Sequence, residues 1–419
     1  MKNDLGFNPK PPTILHIDLN SCFATIEQQA NPWLRGRPVA VAAYATANGC
    51  ILAASVEAKK LGVKTGLRVK DGKMLCSDLI VLSPDPWKYR NVHLALRNLI
   101  SQYTSDFSPK SIDEFVLNLE NFPCLAERNI SDVVNEIKVR IKSEIGEWLT
   151  VSVGIAPNRF LAKLAAGFHK PDGLDVIDSR NFEKVYTGLE LTDLPYIKLR
   201  NAARLNGMGI FSVSDFYNSP LWKLKAAFES INGYYWYLRL RGWEIDDVEF
   251  GRKSYGNSYA LPKPLLTLEE LSPILSKLVE KTGARLRYAG YSAGGIHVAV
   301  SYRDGDFWHK GVSLPEEIFD SRDIYKKAFR ILAKSGCKKP VRELAVSVFN
   351  IKKNENNQLS LFFDVVKRRN LVNAIDSVNQ KWGNFVITPA RMALTPQNAV
   401  PDRIAFGGVK ELEEFTLAQ

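Results

Sequence analysis

The chain has 419 residues, 45% hydrophobic and 24% charged, the balance of an ordinary globular protein with room for about two to four domains and no call for long disorder. Its 56 Lys and Arg against 45 Asp and Glu leave a net charge of +11, which fits a polyanionic partner, nucleic acid or an acidic membrane surface. There is no run of about 18 apolar residues, and `MKNDLGFNPKPPT` lacks the apolar stretch of a secretory leader, so a soluble, cytoplasmic protein that does not enter membranes is expected.

The first element, `TILHIDLNSCF`, begins as an apolar strand with Asp18 near its carboxyl end. `RPVAVAA` and `GCILAAS` read as further strands, with a helical `VEAKKLGV` after them. Apolar spacing turns helical around `PDPWKYRNVHLALRNLISQYT`, then alternates again in `SIDEFVLNL`. `ISDVVNEIKVRIKSEIG` is an amphipathic helix for which Ser131 is the expected N-cap. `LTVSVGIAP` is a strand, and `NRFLAKLAAGF` a helix ending at `HKPDG`. Short helices with tight turns fill 178–244, and helices alternate with strands in 254–353. That last segment holds 17 Lys and Arg against 10 Asp and Glu, more than half of the whole excess. The polar `KKNENNQ`, a final helix and a loop-rich tail follow.

Five scattered cysteines form no C-x-x-C pair and the five histidines are dispersed, which argues against structural zinc and for reduced thiols. The carboxylates are more informative. Asp18 stands at a strand end, and Asp113 and Glu114 are neighbours where another strand begins. Oxygen ligands of this kind suit Mg²⁺, and two such ions could activate a hydroxyl and stabilise a departing pyrophosphate. Neighbours on a flat strand point to opposite faces, so both could reach the same ions only if the backbone bends there. Taken alone, such a pair at a hairpin is more often a surface feature. Arg159 and Lys163, four apart on one helix face, and Lys170 on a Pro-Gly turn add cations that could reach a triphosphate.

Taken together, `HIDLNSCFATIEQQANPWLRGRPVAV`, `EAKKLGVKTG`, `SIDEFVLNL`, `VSVGIAPNRFLAKLAAGFHKPDG`, `RKSYGNSYAL` and `ARLRYAGYSAGGIHVAVSYRDGDF` resemble, in order, a Y-family (translesion) DNA polymerase of the bacterial DNA polymerase IV and V kind. The resemblance implies an α+β multidomain, right-hand polymerase: a palm of 13–21 and 88–177, fingers of 22–87, a helix-hairpin-helix-like thumb of 178–244, a little finger of 254–353 and a tail of 354–419. It implies that Asp18, Asp113, Glu114 and the Leu19 carbonyl hold two Mg²⁺ ions. It also implies that Lys170 meets the triphosphate, and that Phe23 is a steric gate excluding a 2′-hydroxyl. Lys59, in the fingers, would add a nucleotide contact. Primer–template DNA, dNTPs and the sliding clamp are the implied partners of a monomer.

The chain departs from the family in two places. In the fingers, Ala53 and Val56 stand where many members carry Thr and Tyr, and Lys59 where they carry Arg, closer to the polymerase V pattern. In the thumb, Tyr196, Ile197 and Lys198 replace the glycine-containing hairpin turn. Lys198, Arg200, Arg204, Arg252, Lys253, Arg285 and Arg287 are candidate contacts to DNA phosphate. `QLSLF`, with Gln358, Leu359, Leu361 and Phe362, looks like a clamp-binding peptide. The function expected is template-directed, low-fidelity DNA synthesis by two-metal nucleotidyl transfer. A non-catalytic DNA- and clamp-binding subunit on the same fold is one rival, and metal-dependent nucleotidyl cyclisation on a similar palm is a weaker one.

Overall fold

The computed structural model describes residues 5–123, 128–248, 251–336, 339–353, 365–383, 385–395 and 399–400. The chain divides at Val248 into two compact units.

In the first unit, a five-stranded sheet has the order β5-β6-β1-β7-β8. Its strands are β1 (Ile14–Leu19), β5 (Phe107–Pro109), β6 (Glu114–Asn118), β7 (Val151–Ala156) and β8 (Leu174–Val176). The central strand β1 is antiparallel to both neighbours, and β7 pairs with β8 in parallel. Period-two alternation sends Leu15, Ile17 and Leu19 into one core. That core also takes residues of α1 (Cys22–Ala30), α4 (Pro86–Ile100) and α5 (Ile130–Arg140). Ile14, with Val116 of β6 and Ala156 of β7, joins a second core on the opposite face, beneath α6 (Arg159–Ala165). The same core continues into α7 (Phe182–Thr187), α8 (Leu199–Gly207), α9 (Val213–Asn218), α10 (Leu221–Phe228) and α11 (Asn232–Arg239). A separate three-stranded sheet, β3-β2-β4, is built of β2 (Val39–Ala42), β3 (Ile51–Ala54) and β4 (Ile80–Leu82), with α2 (Val56–Lys60) and α3 (Val69–Leu75) completing its own small core.

Two local expectations change. Asn129, not Ser131, caps α5: its side chain accepts from the Ser131 N–H, and after Arg140 the last turn widens to a π-helix over Ile141–Ile145. In the thumb-like region the missing glycine does not remove the turn. Leu194 accepts from the Ile197 N–H at 3.1 Å while Tyr196 adopts φ +69°, so Leu194-Pro195-Tyr196-Ile197 turns with a tyrosine where glycine is usual. Tyr196 is exposed, and its left-handed backbone carries the Cβ–carbonyl crowding that glycine would avoid.

The second unit is a four-stranded antiparallel sheet of order β11-β10-β12-β9. Its strands are β9 (Ser254–Leu265), β10 (Tyr291–Tyr302), β11 (Phe307–Ile318) and β12 (Val341–Lys353). α12 (Leu268–Tyr288) and α13 (Ser321–Ala333) cover one face, burying Ile296, Val298, Val300, Leu344, Val346 and Val348. On the other face, Gly256, Ser258, Gly295, Ala299, Ala345 and Ser347 alternate with those core residues, together with His297 and Phe349, whose ring lies over Gly295. A last helix, α14 (Val365–Trp382), is fastened by Arg368 to Asp320 and Asp323. No helix among the described residues is long and apolar enough to cross a membrane.

Candidate active site

The β1–β6 register pairs Asp18 directly with Glu114. Cross-strand partners project to the same face, here the face of His16 and Ile14, towards α6. Asp113 precedes the first residue of β6 in a bend at 111–113, so it escapes the alternation that would send it to the opposite face. The Leu19 N–H donates to the Asp113 carbonyl at 2.9 Å, and Ser111 Oγ donates to Asp113 Oδ1 at 2.5 Å. These bonds fix the bend against β1.

The carboxylates differ electrostatically. Burial, with Asp18 and Glu114 nearby, pushes Asp113 above the ordinary carboxylate range despite the Ser111 hydrogen bond. Burial pushes Glu114 the same way, but His16 and Lys163 outweigh it and hold its carboxyl at about 2. Lys163 Nζ donates to both Glu114 oxygens at 2.6 Å. Lys170 Nζ donates to Asp18 Oδ2, also at 2.6 Å. The cation helix α6 reaches this depth because Gly154 lies beneath it: a Cβ there would sit 2.0 Å from the Ala162 carbonyl oxygen.

A pocket of about 480 Å³ opens beside Asp18 and Asp113, lined by Leu19, Phe23, Ala53, Val56, Lys59 and Lys170 among others. Phe23 is 3% exposed and stacks on Tyr89, centroids 4.3 Å apart at 14°. The Tyr89 hydroxyl donates to Glu27 Oε1 at 2.9 Å, which holds the supporting ring in place. Lys59 donates to Ser21 Oγ at 2.8 Å, and burial and the charge of Lys170 push its pKa down. Ala53 and Val56 line the pocket with no hydroxyl to offer a phosphate.

Other expected contributors lie elsewhere. Arg159 is 9% exposed and turns away from the carboxylates to Glu244 at 3.2 Å and Asp247 at 2.5 Å. Lys198, Arg200 and Arg204 are exposed on and beside α8. Arg252 lies over the Tyr255 ring, Lys253 is exposed, and Arg285 donates to Asn257 at 3.1 Å. Arg287 is engaged within its own unit. Its side chain is 8% exposed and grips Asp376 through two bonds of 2.6 and 2.7 Å, with further bonds to the Phe319 carbonyl and Ser321. These bonds fasten α14 to α12. The clamp-like Gln358, Leu359, Leu361 and Phe362 lie outside the described residues.

Sequence reasoning passed over His16. It is 2% exposed, one ligand atom each of His16, Asp18 and Glu114 lies within 4.8 Å of the others, and neither ring nitrogen has a hydrogen-bond partner among the described residues. Its Nε2 stands 3.8 Å from Glu114 Oε2. The signal was available: a polar residue two before Asp18 on a strand must share its face.

Residues 17–167 match the impB/mucB/samB family and residues 252–361 match that family's C-terminal domain. The chain is 31% identical to DNA polymerase IV of Pelotomaculum thermopropionicum over 93% of its own length and 97% of the relative's. It is 33% identical to DNA polymerase IV of Moorella thermoacetica, covering 90% of this chain and 94% of that one. With DNA polymerase IV 1 of Bacillus subtilis the identity is 31%, over 89% and 91%. Among solved structures, a Y-family DNA polymerase chimera built on Dbh aligns at a TM-score of 0.72 and 26% identity, over 81% of this chain and 99% of that one. An insertion ternary complex of Dbh DNA polymerase aligns at 0.55 and 26%, with the same coverage. The chain belongs to the impB/mucB/samB family, that of the Y-family translesion polymerases, and is a DNA-directed DNA polymerase resembling DNA polymerase IV.

Proposed function

We propose that the chain extends a primer on template DNA by metal-dependent nucleotidyl transfer at Asp18, Asp113 and Glu114, with low fidelity. The observation that carries this reading is the convergence of Asp18 and Asp113 with Lys170 in a pocket also lined by Phe23, with Glu114 paired to Asp18 across the strands.

The donor set fits hard divalent cations such as Mg²⁺: carboxylate oxygens with the Leu19 carbonyl alongside, where Asp113 is destabilised as an anion and two ammonium groups already sit against the others. Asp18, Asp113 and Glu114 would hold two such ions, which supply Lewis acidity towards the attacking hydroxyl and the departing pyrophosphate. Lys170 stands on a turn beside the pocket, placed to neutralise the triphosphate. Phe23, held flat by Tyr89, limits the space beneath the sugar and selects deoxynucleotides. Ala53 and Val56 offer no hydroxyl to the incoming nucleotide, and a weaker grip on it agrees with relaxed selection.

Primer–template DNA and dNTPs are the substrates, in line with the ternary complex of Dbh. Exposed Lys198, Arg200, Arg204 and Lys253, with Arg252 and Arg285, are assigned to the DNA backbone, so binding will be strongly salt-dependent. Residues 358–362 are assigned to the sliding clamp, on a monomeric, cytoplasmic enzyme.

Primer extension with purified chain, Mg²⁺ and four dNTPs tests the reading. Extension by the wild type that Asp113→Ala abolishes is expected. No extension, or undiminished extension by that variant, overturns it.

A further inference from the structure

The residue two after Asp18 has no part in the chemistry described so far, yet every polar atom it owns is used. Asn20 is 4% exposed. Its N–H donates to the Thr150 carbonyl at 2.9 Å, and its carbonyl accepts from Thr25 Oγ1 at 2.7 Å. Its Nδ2 donates to Ser152 Oγ at 2.9 Å. Its Oδ1 accepts from Thr150 Oγ1 at 3.1 Å and from the Asp172 N–H at 2.8 Å. The Asp172 N–H can only donate, which settles the orientation of the amide.

These bonds join four parts of the site. Thr25 belongs to α1, the helix that carries Phe23, and Thr150 and Ser152 belong to the β7 segment. Asp172 lies two residues beyond Lys170 in the turn that presents its ammonium. The turn is tight: a Cβ on Gly173 would sit 2.0 Å from the His169 carbonyl oxygen, and Asp172 has φ +60°. Ser152 Oγ also accepts from the Gly173 N–H at 3.3 Å, and Lys138 and Lys142 grip the Asp172 carboxylate from outside at 3.0 and 2.7 Å. Lys138 Nζ also donates to the Asp172 carbonyl at 2.5 Å, so the turn is held from both sides, and the Asn20 bond is the one that ties it to the carboxylate strand and the gate helix.

We propose that Asn20 is a positioning residue: through the Asp172 amide it fixes the Lys170 turn against the carboxylate strand and the gate helix, so that the ammonium meets the triphosphate already in place. This rests on the reading of Lys170 as a triphosphate ligand. A pre-organised cation avoids the cost of ordering the turn at each binding event, so its loss falls on nucleotide affinity before it falls on turnover.

The test is single-nucleotide incorporation by the full chain at saturating primer–template and Mg²⁺, with KM for dNTP and kcat measured for Asn20→Ala, Asn20→Asp, Lys170→Ala and the double variant Asn20→Ala/Lys170→Ala. Asn20→Ala should raise KM by about three- to tenfold with a smaller change in kcat. Asn20→Asp keeps the acceptor for the Asp172 amide at the same size and should stay within about threefold of wild type. The double variant should be no worse than Lys170→Ala, because the two residues act as one unit. Additive losses, a fall in kcat at unchanged KM, or Asn20→Asp as impaired as Asn20→Ala would each overturn the proposal. Lys170→Ala with a normal KM overturns the triphosphate reading and this proposal together. A raised KM there with a normal KM in Asn20→Ala overturns this proposal alone. Should Asn20→Ala not fold, Thr150→Val removes only the hydroxyl that steers Oδ1 and should raise KM by about two- to threefold; an unchanged KM is then the overturning result.

Discussion

Lys170 Nζ lies 2.6 Å from Asp18 Oδ2, so the cation assigned to the triphosphate rests on a carboxylate assigned to a metal ion. Lys163 and Glu114 repeat the arrangement on the neighbouring strand. Binding of a divalent cation is then an exchange of counter-cations. Lys163→Met should tighten Mn²⁺ binding, in the absence of DNA and nucleotide, by about five- to tenfold, since a charge-assisted pair no longer competes for Glu114. Titration followed by the paramagnetic resonance of free Mn²⁺ reads this directly. Weaker binding by the variant would mean that the ammonium assists the ion.

Asp113 supplies a dependence on pH. Its native pKa is raised, so the folded chain keeps this proton at pH values where the unfolded chain has already lost it. The stabilisation from this group is therefore full below the unfolded value and declines as pH rises through the raised native one. A bound divalent ion removes the penalty. Added Mg²⁺ should raise the melting temperature more at about pH 7 than at about pH 5, and Asp113→Asn should flatten that difference. Thermal melts at the two pH values, with and without the ion, check it.

Gly154 sets how closely α6 approaches β7. Gly154→Ala places a methyl group 2.0 Å from the Ala162 carbonyl oxygen and 2.3 Å from the Ala166 nitrogen, both backbone atoms. The helix must move, at a cost of about 1–3 kcal/mol or more. Lys163 moves with it, so primer extension should fall further than the loss of folded protein accounts for. Denaturant melts and active-site-normalised rates separate the two effects.

Lys198 and Arg287 should behave in opposite ways although both are basic. Lys198 is exposed, and if it meets DNA phosphate, Lys198→Ala should reduce the slope of log K against log salt by about 0.9. Arg287→Ala strands Asp376 and should destabilise its unit by about 3–5 kcal/mol while leaving that slope unchanged. Affinity titrations at several salt concentrations, paired with thermal melts, distinguish them.

Much of this was legible in the sequence, because strands and helices declare themselves by period. The alternation in `SIDEFVLNL` and `TILHIDL` placed β1 and β6. What periodicity cannot carry is pairing. That Arg287 meets Asp376, or Arg159 meets Glu244 and Asp247, depends on contacts between distant segments, and a lysine or arginine reads the same in sequence whether solvated or spent. Tyr196 misled for another reason: glycine is the common solution to a left-handed backbone position but not a necessary one. Asn20 was invisible because its partners lie about 130 and 150 positions away.

The pairing of Asp18 with Glu114 makes the site depend on an integer. Strand registers change only in whole residues, and a slip of one would send Glu114 to the other side of the sheet while leaving the same hydrogen-bonded ladder length available elsewhere. Side-chain substitutions near the centre can be graded; a single-residue insertion between Glu114 and Asn118 cannot. Such an insertion would leave the secondary-structure content almost intact and erase the chemistry outright. The frame of β6 is thus inherited as a count as well as a composition, and a survey of natural variants should find length in that strand more strictly kept than the identity of its apolar residues.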